Sequence, residues 1–277
     1  MSVHEPEEIR IAVRERYAEA ARSASSCCGP AVEMNEQFGQ ALYEDADRSD
    51  LPQGALVASL GCGNPTMLAE LKPGDDVLDL GSGGASDVLL SARRVAPGGT
   101  AYGIDMTPEM HELARANQAE AGVENAEFLL GSIEDLPLAS DAVDVIISNC
   151  VLNLSSDKDQ VLREAYRVLR PGGRFAISDM VLSRPLAPEL TAVMALWTGC
   201  IAGALTEDDY RRRLDAAGFE DVSVEPTKIF GRADLEDLAA GIDPADIPAG
   251  LDVEATIDAF DGVVRSAFVR ATKPSAR

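Results

Sequence analysis

One stretch constrains the fold more than any other: a short apolar segment followed by a glycine turn and the start of a helix. Residues 77–80 are apolar apart from Asp79, which predicts a buried strand. Gly81 and Gly83 follow at once, and an apolar helical pattern begins near Ala85. Such a strand, turn and helix start let a ligand approach the backbone closely, so the stretch predicts a nucleotide-type binding loop.

The details of this loop narrow its ligand. Ser86 stands where the dinucleotide fingerprint would have a third Gly or Ala. Asp79 lies just before the first glycine, where its carboxylate could bind an ammonium group or a ligand hydroxyl. A glycine turn alone is shared by dinucleotide enzymes and many methyltransferases, so both classes stay open at this point.

Strand and helix patterns alternate after this loop. Further strands are predicted at 101–104, 126–130, 142–148 and 174–178, with helices between them. The alternation predicts an α/β fold with a Rossmann-like, doubly wound, mostly parallel sheet. Ligands of such sheets bind at the carboxyl ends of the strands. Four polar side chains lie at those predicted ends, namely Asp79, Asp105, Glu134 and Asn149.

The flanking segments complete the predicted organisation. We expect an amphipathic helix over 5–24, a helix over 207–217 capped by Thr206, and strands at 222–225 and 263–272. Thr107 and Pro108 predict another helix start. Segment 231–262 has no clear periodicity. The expected regions are an N-terminal helix and loop (1–56), the Rossmann-like domain (57–183) and a smaller C-terminal α+β region that completes the sheet (184–277).

Composition bounds the class of function. The 277 residues carry 47 acidic against 24 basic side chains, a net charge of −23. Such a surface repels phosphate, which argues against nucleic acid and anionic membranes as partners. The charged N-terminus and the absence of a long apolar run predict a cytoplasmic protein, with a monomer as the default. Two histidines leave little room for a histidine base or metal site.

The loop and the strand ends together resemble the class I S-adenosylmethionine (SAM) methyltransferases, whose first motif is similar to residues 79–83. The resemblance implies that Asp79, Gly81, Ser82 and Gly83 surround the methionine part of SAM. It implies that Asp105 holds the ribose and that Asn149 lies near the sulfonium. The adenine would lie against Met106, Ile133 and Glu134.

Five cysteines carry the second signal. Cys62, Cys150 and Cys200 are flanked by small residues or turn signals, whereas inert buried cysteines are more often embedded in apolar strands or helices. In a cytosolic chain they are expected to be free thiols, ligands or redox groups rather than structural disulfides.

The segments 61–65, 148–154 and 198–204 each resemble the cysteine motifs of arsenite methyltransferases, and 266–274 is similar to that family's ending. The resemblance implies that the thiolates of Cys62, Cys150 and Cys200 bind trivalent arsenic, a thiophilic element, and present its lone pair to the SAM methyl group. The products would be methylated arsenicals and S-adenosylhomocysteine, and the role would be arsenic detoxification. The substrate would be arsenite or its thiol conjugates.

The resemblance also implies a role for one of the adjacent residues Cys27 and Cys28, since related enzymes have an upstream cysteine that takes part in redox cycling or in initial arsenic capture. We expect one of the pair to exchange with Cys62 as a disulfide. A thiol reductant, thioredoxin or glutathione, would regenerate the thiols.

Two alternatives remain open. One is a small-molecule C- or O-methyltransferase with incidental cysteines, which would keep its activity after Cys150→Ser. The other is a non-catalytic, thiol-based metalloid-binding protein, which would not bind SAM.

Overall fold

The computed structural model of the chain describes residues 5–24, 51–58, 63, 65–187, 190, 200–240, 247 and 250–275. Its strands are β1 (Val77–Leu80), β2 (Ala101–Asp105), β3 (Ala126–Leu130), β4 (Val143–Asn149), β5 (Leu169–Leu182), β6 (Leu205–Thr206), β7 (Glu220–Ile229) and β8 (Val264–Thr272). Its helices are α1 (Pro6–Ala24), α2 (Gln53–Val57), α3 (Pro65–Leu68), α4 (Ser86–Val95), α5 (Pro108–Ala121), α6 (Lys158–Val168), α7 (Glu207–Ala217), α8 (Arg232–Ala240) and α9 (Val253–Phe260). A 3₁₀ turn covers Leu152–Leu154.

The described strands form one eight-stranded sheet. Its order is β3-β2-β1-β4-β5-β8-β7, and β6 pairs with β5 off this path. The pairs from β3 to β5 are parallel, whereas β8 is antiparallel to both β5 and β7. The expectation of a doubly wound, mostly parallel sheet is confirmed. The carboxyl ends of the first five strands therefore meet at one edge, where the predicted site residues lie.

Strand β5 begins earlier than the sequence predicts. The glycines at 172 and 173 suggested a turn before a strand at 174, but the strand starts at Leu169. The Gly172 N–H donates to the Lys273 carbonyl at 2.8 Å, and the Lys273 N–H donates to the Gly173 carbonyl at 2.9 Å. These long-range backbone bonds tie the glycines to the end of β8, although Gly172 keeps a turn-like φ of 82° and the register with β4 shifts between Leu169 and Arg174. Local turn propensity does not reveal such pairing with a distant segment.

Two predicted helix starts have different chemistry. At α7 the Thr206 hydroxyl accepts the Asp209 N–H at 3.1 Å, and Gly218 ends the helix with a φ of 100°. Both features are as predicted. At α5 the cap position is Thr107, yet its side chain makes no capping bond. Its N–H instead donates to Asp105 at 2.8 Å, which ties this helix start to the end of β2.

Segment 231–262 contains helices that its sequence does not indicate. Helix α8 buries only Leu235, and α9 buries only Ile257 and Phe260. Because so few positions of these helices are buried, their sequences lack the repeated apolar spacing that predicts an amphipathic helix. Arg232 joins them, because its guanidinium pairs with Glu236 in α8 and with Glu254 and Asp258 in α9.

Helix α1 is present as predicted and buries Ile9 and Val13. Arg22 near its end pairs with Glu109 of α5 at 2.9 Å. Within the described ranges, no helix has the length and apolar character needed to cross a membrane. The three-region division stays a prediction, although one sheet contains strands from both the second and the third region.

Candidate active site

The glycine turn after β1 is fixed on two sides. The N–H groups of Gly81 and Ser82 both donate to the Ile104 carbonyl in β2 at 2.9 Å. Gly81 has a φ of 74°, and a Cβ there would lie 2.5 Å from the Val151 methyl groups. Only glycine satisfies both the backbone angle and this close approach. The turn is thereby held between β2 and the segment that follows β4.

Asp105 at the end of β2 connects this turn to the next helix. Its carboxylate accepts the Gly83 N–H at 3.0 Å and the Thr107 N–H at 2.8 Å. Burial raises the pKa of Asp105, while both N–H groups oppose that shift. These two hydrogen bonds fix the orientation of the Asp105 carboxylate beside the glycine turn.

Asp79 is a buried acid with one carboxylate oxygen that lacks a hydrogen-bond partner among the described residues. Its side chain is 3% exposed, and its Oδ1 atom has no hydrogen-bond partner among the described residues. Burial, and then the charges of Asp87 and Asp105, raise the pKa of Asp79 well above its ordinary value. A cationic or hydrogen-bond-donating ligand group would relieve this cost. The methionine ammonium of SAM fits that requirement.

A cavity of about 670 Å³, open solvent included, lies at this edge of the sheet. Five of the nine predicted cofactor residues line it, namely Gly81, Asp105, Met106, Ile133 and Glu134. Glu134 is held in place by the Ser155 hydroxyl at 2.5 Å and by the Ser132 hydroxyl. The structure therefore brings together the residues assigned to the ribose and the adenine.

Sequence reasoning missed a second wall of this cavity. Arg10, Val13 and Tyr17 of α1 line it, as do Val151 and other residues after β4. The apolar spacing of α1 predicts a buried face, but spacing within one helix does not say what that face covers. Its position over the cavity depends on packing against distant elements.

The remaining predicted cofactor residues, Asp79, Ser82, Gly83 and Asn149, are not among the residues lining this cavity. The Asn149 amide has another role. It donates to the Gly63 carbonyl at 2.7 Å and accepts the Gly63 N–H at 3.2 Å. It also donates to Asp87 at 3.3 Å. Asn149 thus joins the residue after Cys62 in the sequence to the end of β4.

The structure places two of the predicted arsenic ligands next to each other. The Cys200 thiol donates to the Cys150 carbonyl at 3.0 Å, and both residues are buried. Both have positive φ angles, 59° at Cys150 and 63° at Cys200, a conformation that costs non-glycine residues energy and is concentrated at functional sites. The Cys150 N–H donates to the Ser178 carbonyl at 2.8 Å.

The redox states of these two cysteines differ. Cys200 is a free thiol, whereas Cys150 is disulfide-bonded. Cys27, Cys28 and Cys62 also lie outside the described residues. Over the part of the chain that is described, no group of three His, Cys, Asp or Glu side chains could hold a metal ion.

A buried polar cluster adjoins Cys200. Burial, and then the charge of Asp179, raise the pKa of the Cys200 thiol. Asp179 accepts hydrogen bonds from the Tyr210 hydroxyl at 2.5 Å and from the Asn153 amide at 2.8 Å. Burial outweighs these bonds and raises the pKa of Asp179 to about 7. The same effect lowers the pKa of Lys158, which also belongs to this cluster, to about 8.

The sheet order, the fixed glycine turn and the acids at the strand ends together define the fold of a class I SAM methyltransferase. Residues 71–218 match the family model described as a methyltransferase domain. The chain therefore belongs to the methyltransferase family.

Comparison with individual proteins narrows the resemblance. The chain is 45% identical to an arsenite methyltransferase from Halobacterium salinarum over 80% of this chain and 60% of that protein. It is 43% identical to one from Aquipseudomonas alcaligenes over 64% of this chain and 54% of that protein. The resemblance to arsenite methyltransferases is thereby confirmed. The chain spans 60% or less of the length of these two relatives.

A solved structure agrees with these relatives. The crystal structure of an arsenic(III) S-adenosylmethionine methyltransferase from Chlamydomonas reinhardtii superposes with a TM-score of 0.60 and 30% identity. The match covers 86% of this chain and 72% of the algal one. The shared architecture therefore extends well beyond the residues that the family model matches.

Proposed function

We propose that this protein transfers a methyl group from SAM to trivalent arsenic, and that it serves arsenic detoxification. The observation that carries the proposal is the contact of Cys200 with Cys150 at the end of β4, beside a cavity that five predicted cofactor residues line. The similarity to arsenite methyltransferases supports the same substrate.

The cofactor would occupy the edge of the sheet described above. Asp79 would receive the ammonium group, Asp105 the ribose hydroxyls, and Met106, Ile133 and Glu134 would surround the adenine. Gly81, Ser82 and Gly83 would line the methionine part, and a Cβ at Gly83 would meet nothing within 4 Å, which leaves space for a ligand there. Asn149 would act indirectly, by holding Gly63, the residue that follows Cys62 in the sequence.

The thiols of Cys62, Cys150 and Cys200 would bind arsenic after losing their protons, replacing three hydroxyls of arsenite as water. Soft thiolate ligands suit a thiophilic element. When bound, SAM supplies an electrophilic methyl group, which the arsenic lone pair would attack to give methylarsenic and S-adenosylhomocysteine. The protein needs no base for this step, since it contributes mainly position and orientation.

The disulfide at Cys150 must be reduced before that residue can bind arsenic. We therefore propose a thiol reductant, thioredoxin or glutathione, as a partner, with Cys27 or Cys28 exchanging with Cys62. A Cys27→Ser/Cys28→Ser double variant should lose reductant-dependent turnover. Turnover by the double variant with no need for a thiol reductant would contradict this role.

We also propose that the protein acts in the cytoplasm as a monomer. Light scattering coupled to size-exclusion chromatography measures its mass directly. A mass near 29.3 kDa is expected, and twice that value would replace the monomer by a dimer.

The substrate is tested by incubating the reduced protein with SAM, arsenite and glutathione, then separating arsenic species by chromatography with mass detection. Wild type should give methylarsenic, whereas Cys150→Ser and Cys200→Ser should give none. Serine at position 200 can still donate to the Cys150 carbonyl, so this variant removes the soft ligand while keeping the local contact. Both variants should still bind SAM by calorimetry. Methylarsenic from either variant at the wild-type rate would reject the thiolate mechanism.

A further inference from the structure

One aromatic side chain lines the cavity and has no role in the function proposed so far. Tyr17 lies on the inner face of α1 and is the single aromatic residue among the described residues that line the cavity. Helix α1 is anchored on both sides of it, since Val13 and Ala21 are buried. The ring is therefore held by a packed helix rather than by a surface loop.

Tyr17 lies between the two halves of the site. It lines the same cavity as Asp105 and Met106, the residues assigned to the ribose and the adenine. It also packs against the apolar cluster that contains Cys150 and Cys200. In the proposed reaction the methyl group passes from cofactor to arsenic between these two sets of residues, and Tyr17 borders both.

The atom that carries this methyl group in SAM is a positively charged sulfonium, whereas the corresponding sulfur of S-adenosylhomocysteine is neutral. The face of an aromatic ring attracts cations through its quadrupole. We propose, on the basis of the proposed function, that the Tyr17 ring faces the sulfonium and raises the affinity of the site for SAM relative to S-adenosylhomocysteine.

The surroundings of Tyr17 favour the ring over the hydroxyl as the interacting group. Burial raises the pKa of the Tyr17 phenol, so it stays neutral in ordinary buffers. The attraction must then come from the π face and not from a phenolate charge. Because the sulfonium charge disappears when the methyl group leaves, the same ring would hold the product less tightly than the substrate.

The test compares the dissociation constants of SAM and S-adenosylhomocysteine by calorimetry on the full chain. Tyr17→Phe keeps the ring and should leave the ratio of the two constants within about twofold of wild type. Tyr17→Leu removes the ring and should reduce the preference for SAM about tenfold. Pentafluorophenylalanine at position 17 keeps the ring's size but reverses its quadrupole, so it should reduce the preference at least as much while preserving the packing of α1.

A matched control is Tyr166→Leu. Tyr166 is an aromatic residue of α6 that packs edge-on against Phe219 at 5.2 Å, and it does not line the cavity. Its replacement should leave the ratio unchanged. An equal weakening of SAM and S-adenosylhomocysteine in the position 17 variants would overturn the proposal, because Tyr17 would then serve only as packing. Wild type that binds no SAM would instead reject the proposed function itself.

Discussion

We predict that Asp79 lowers the stability of the ligand-free protein and favours binding of SAM. Asp79→Asn should therefore raise the stability and weaken the binding. The substitution keeps the shape of the side chain but removes an acid whose ionisation is opposed by burial and by the charges of Asp87 and Asp105. The neutral amide keeps the cost of a buried polar group without a partner, about 1–3 kcal/mol, whereas a charged group there costs more. Relief of about 2 kcal/mol, with an unfolding entropy of about 2.1 cal/mol/K per residue, should raise the melting temperature of the 277-residue ligand-free protein by about 3 °C.

The gain should depend on pH with a defined sign. The folded pKa of Asp79 is raised, so below about pH 4 the acid is protonated in both folded and unfolded chains and costs nothing. As the pH rises, the unfolded chain ionises first, and wild-type stability falls until the folded pKa is passed. The stability of the variant should therefore equal that of the wild type near pH 4 and exceed it at neutral and alkaline pH.

The assay is thermal unfolding monitored by circular dichroism across this pH range, with and without SAM. Asp208→Asn is the control, since the Asp208 side chain is 99% exposed. Its replacement should change neither the melting temperature nor the rise in melting temperature that SAM induces. The stabilised variant should also show a smaller SAM-induced rise in melting temperature. A variant that is less stable than wild type at pH 8, or equally shifted at pH 4 and pH 8, would refute the reasoning.

Three further perturbations follow from the contacts at the site. Gly63→Ala should abolish arsenic binding, measured as bound arsenic per chain, because the new Cβ would lie 2.0 Å from the Ser178 hydroxyl. Adding Ser178→Gly to this variant should restore part of the binding, and no restoration would contradict the clash as the cause. Gly81→Ala should lower the free energy of unfolding in urea by at least about 1 kcal/mol, because of its φ of 74° and the contact with Val151; an unchanged midpoint would contradict the strain. The carboxyl carbon resonance of Asp179 should titrate near pH 7 and vanish in Asp179→Asn, and a midpoint near pH 4 would show that burial does not dominate.

The parts that sequence predicts well are those set by local patterns. Thr206 and Gly218 bound α7 as expected, because a capping hydroxyl and a left-handed glycine act within one turn of helix. The strand before the glycine loop and the helix after it are also set by local sequence patterns. The acids at the strand ends follow from it, since parallel strands share one edge.

The parts that sequence misses depend on contacts between distant segments. The Asn149 amide holds Gly63, 86 positions away, so no motif around Asn149 reveals that use. Tyr17 is visible as an apolar helix position, but only the packed structure places it between the cofactor residues and the cysteines. Helices α8 and α9 bury too few side chains to leave a readable period.

The position of β8 has a consequence for how the chain is made. Strand β7 is joined to the sheet only through β8 among the described strands, although β8 comes later in the sequence. During synthesis, β5 and β7 must therefore wait with unpaired edges until residues 264–272 have left the ribosome. Unpaired edges are templates for association with other chains. A message that stops before Val264 should yield an aggregating product even though every residue assigned to the cofactor and the thiols has been translated.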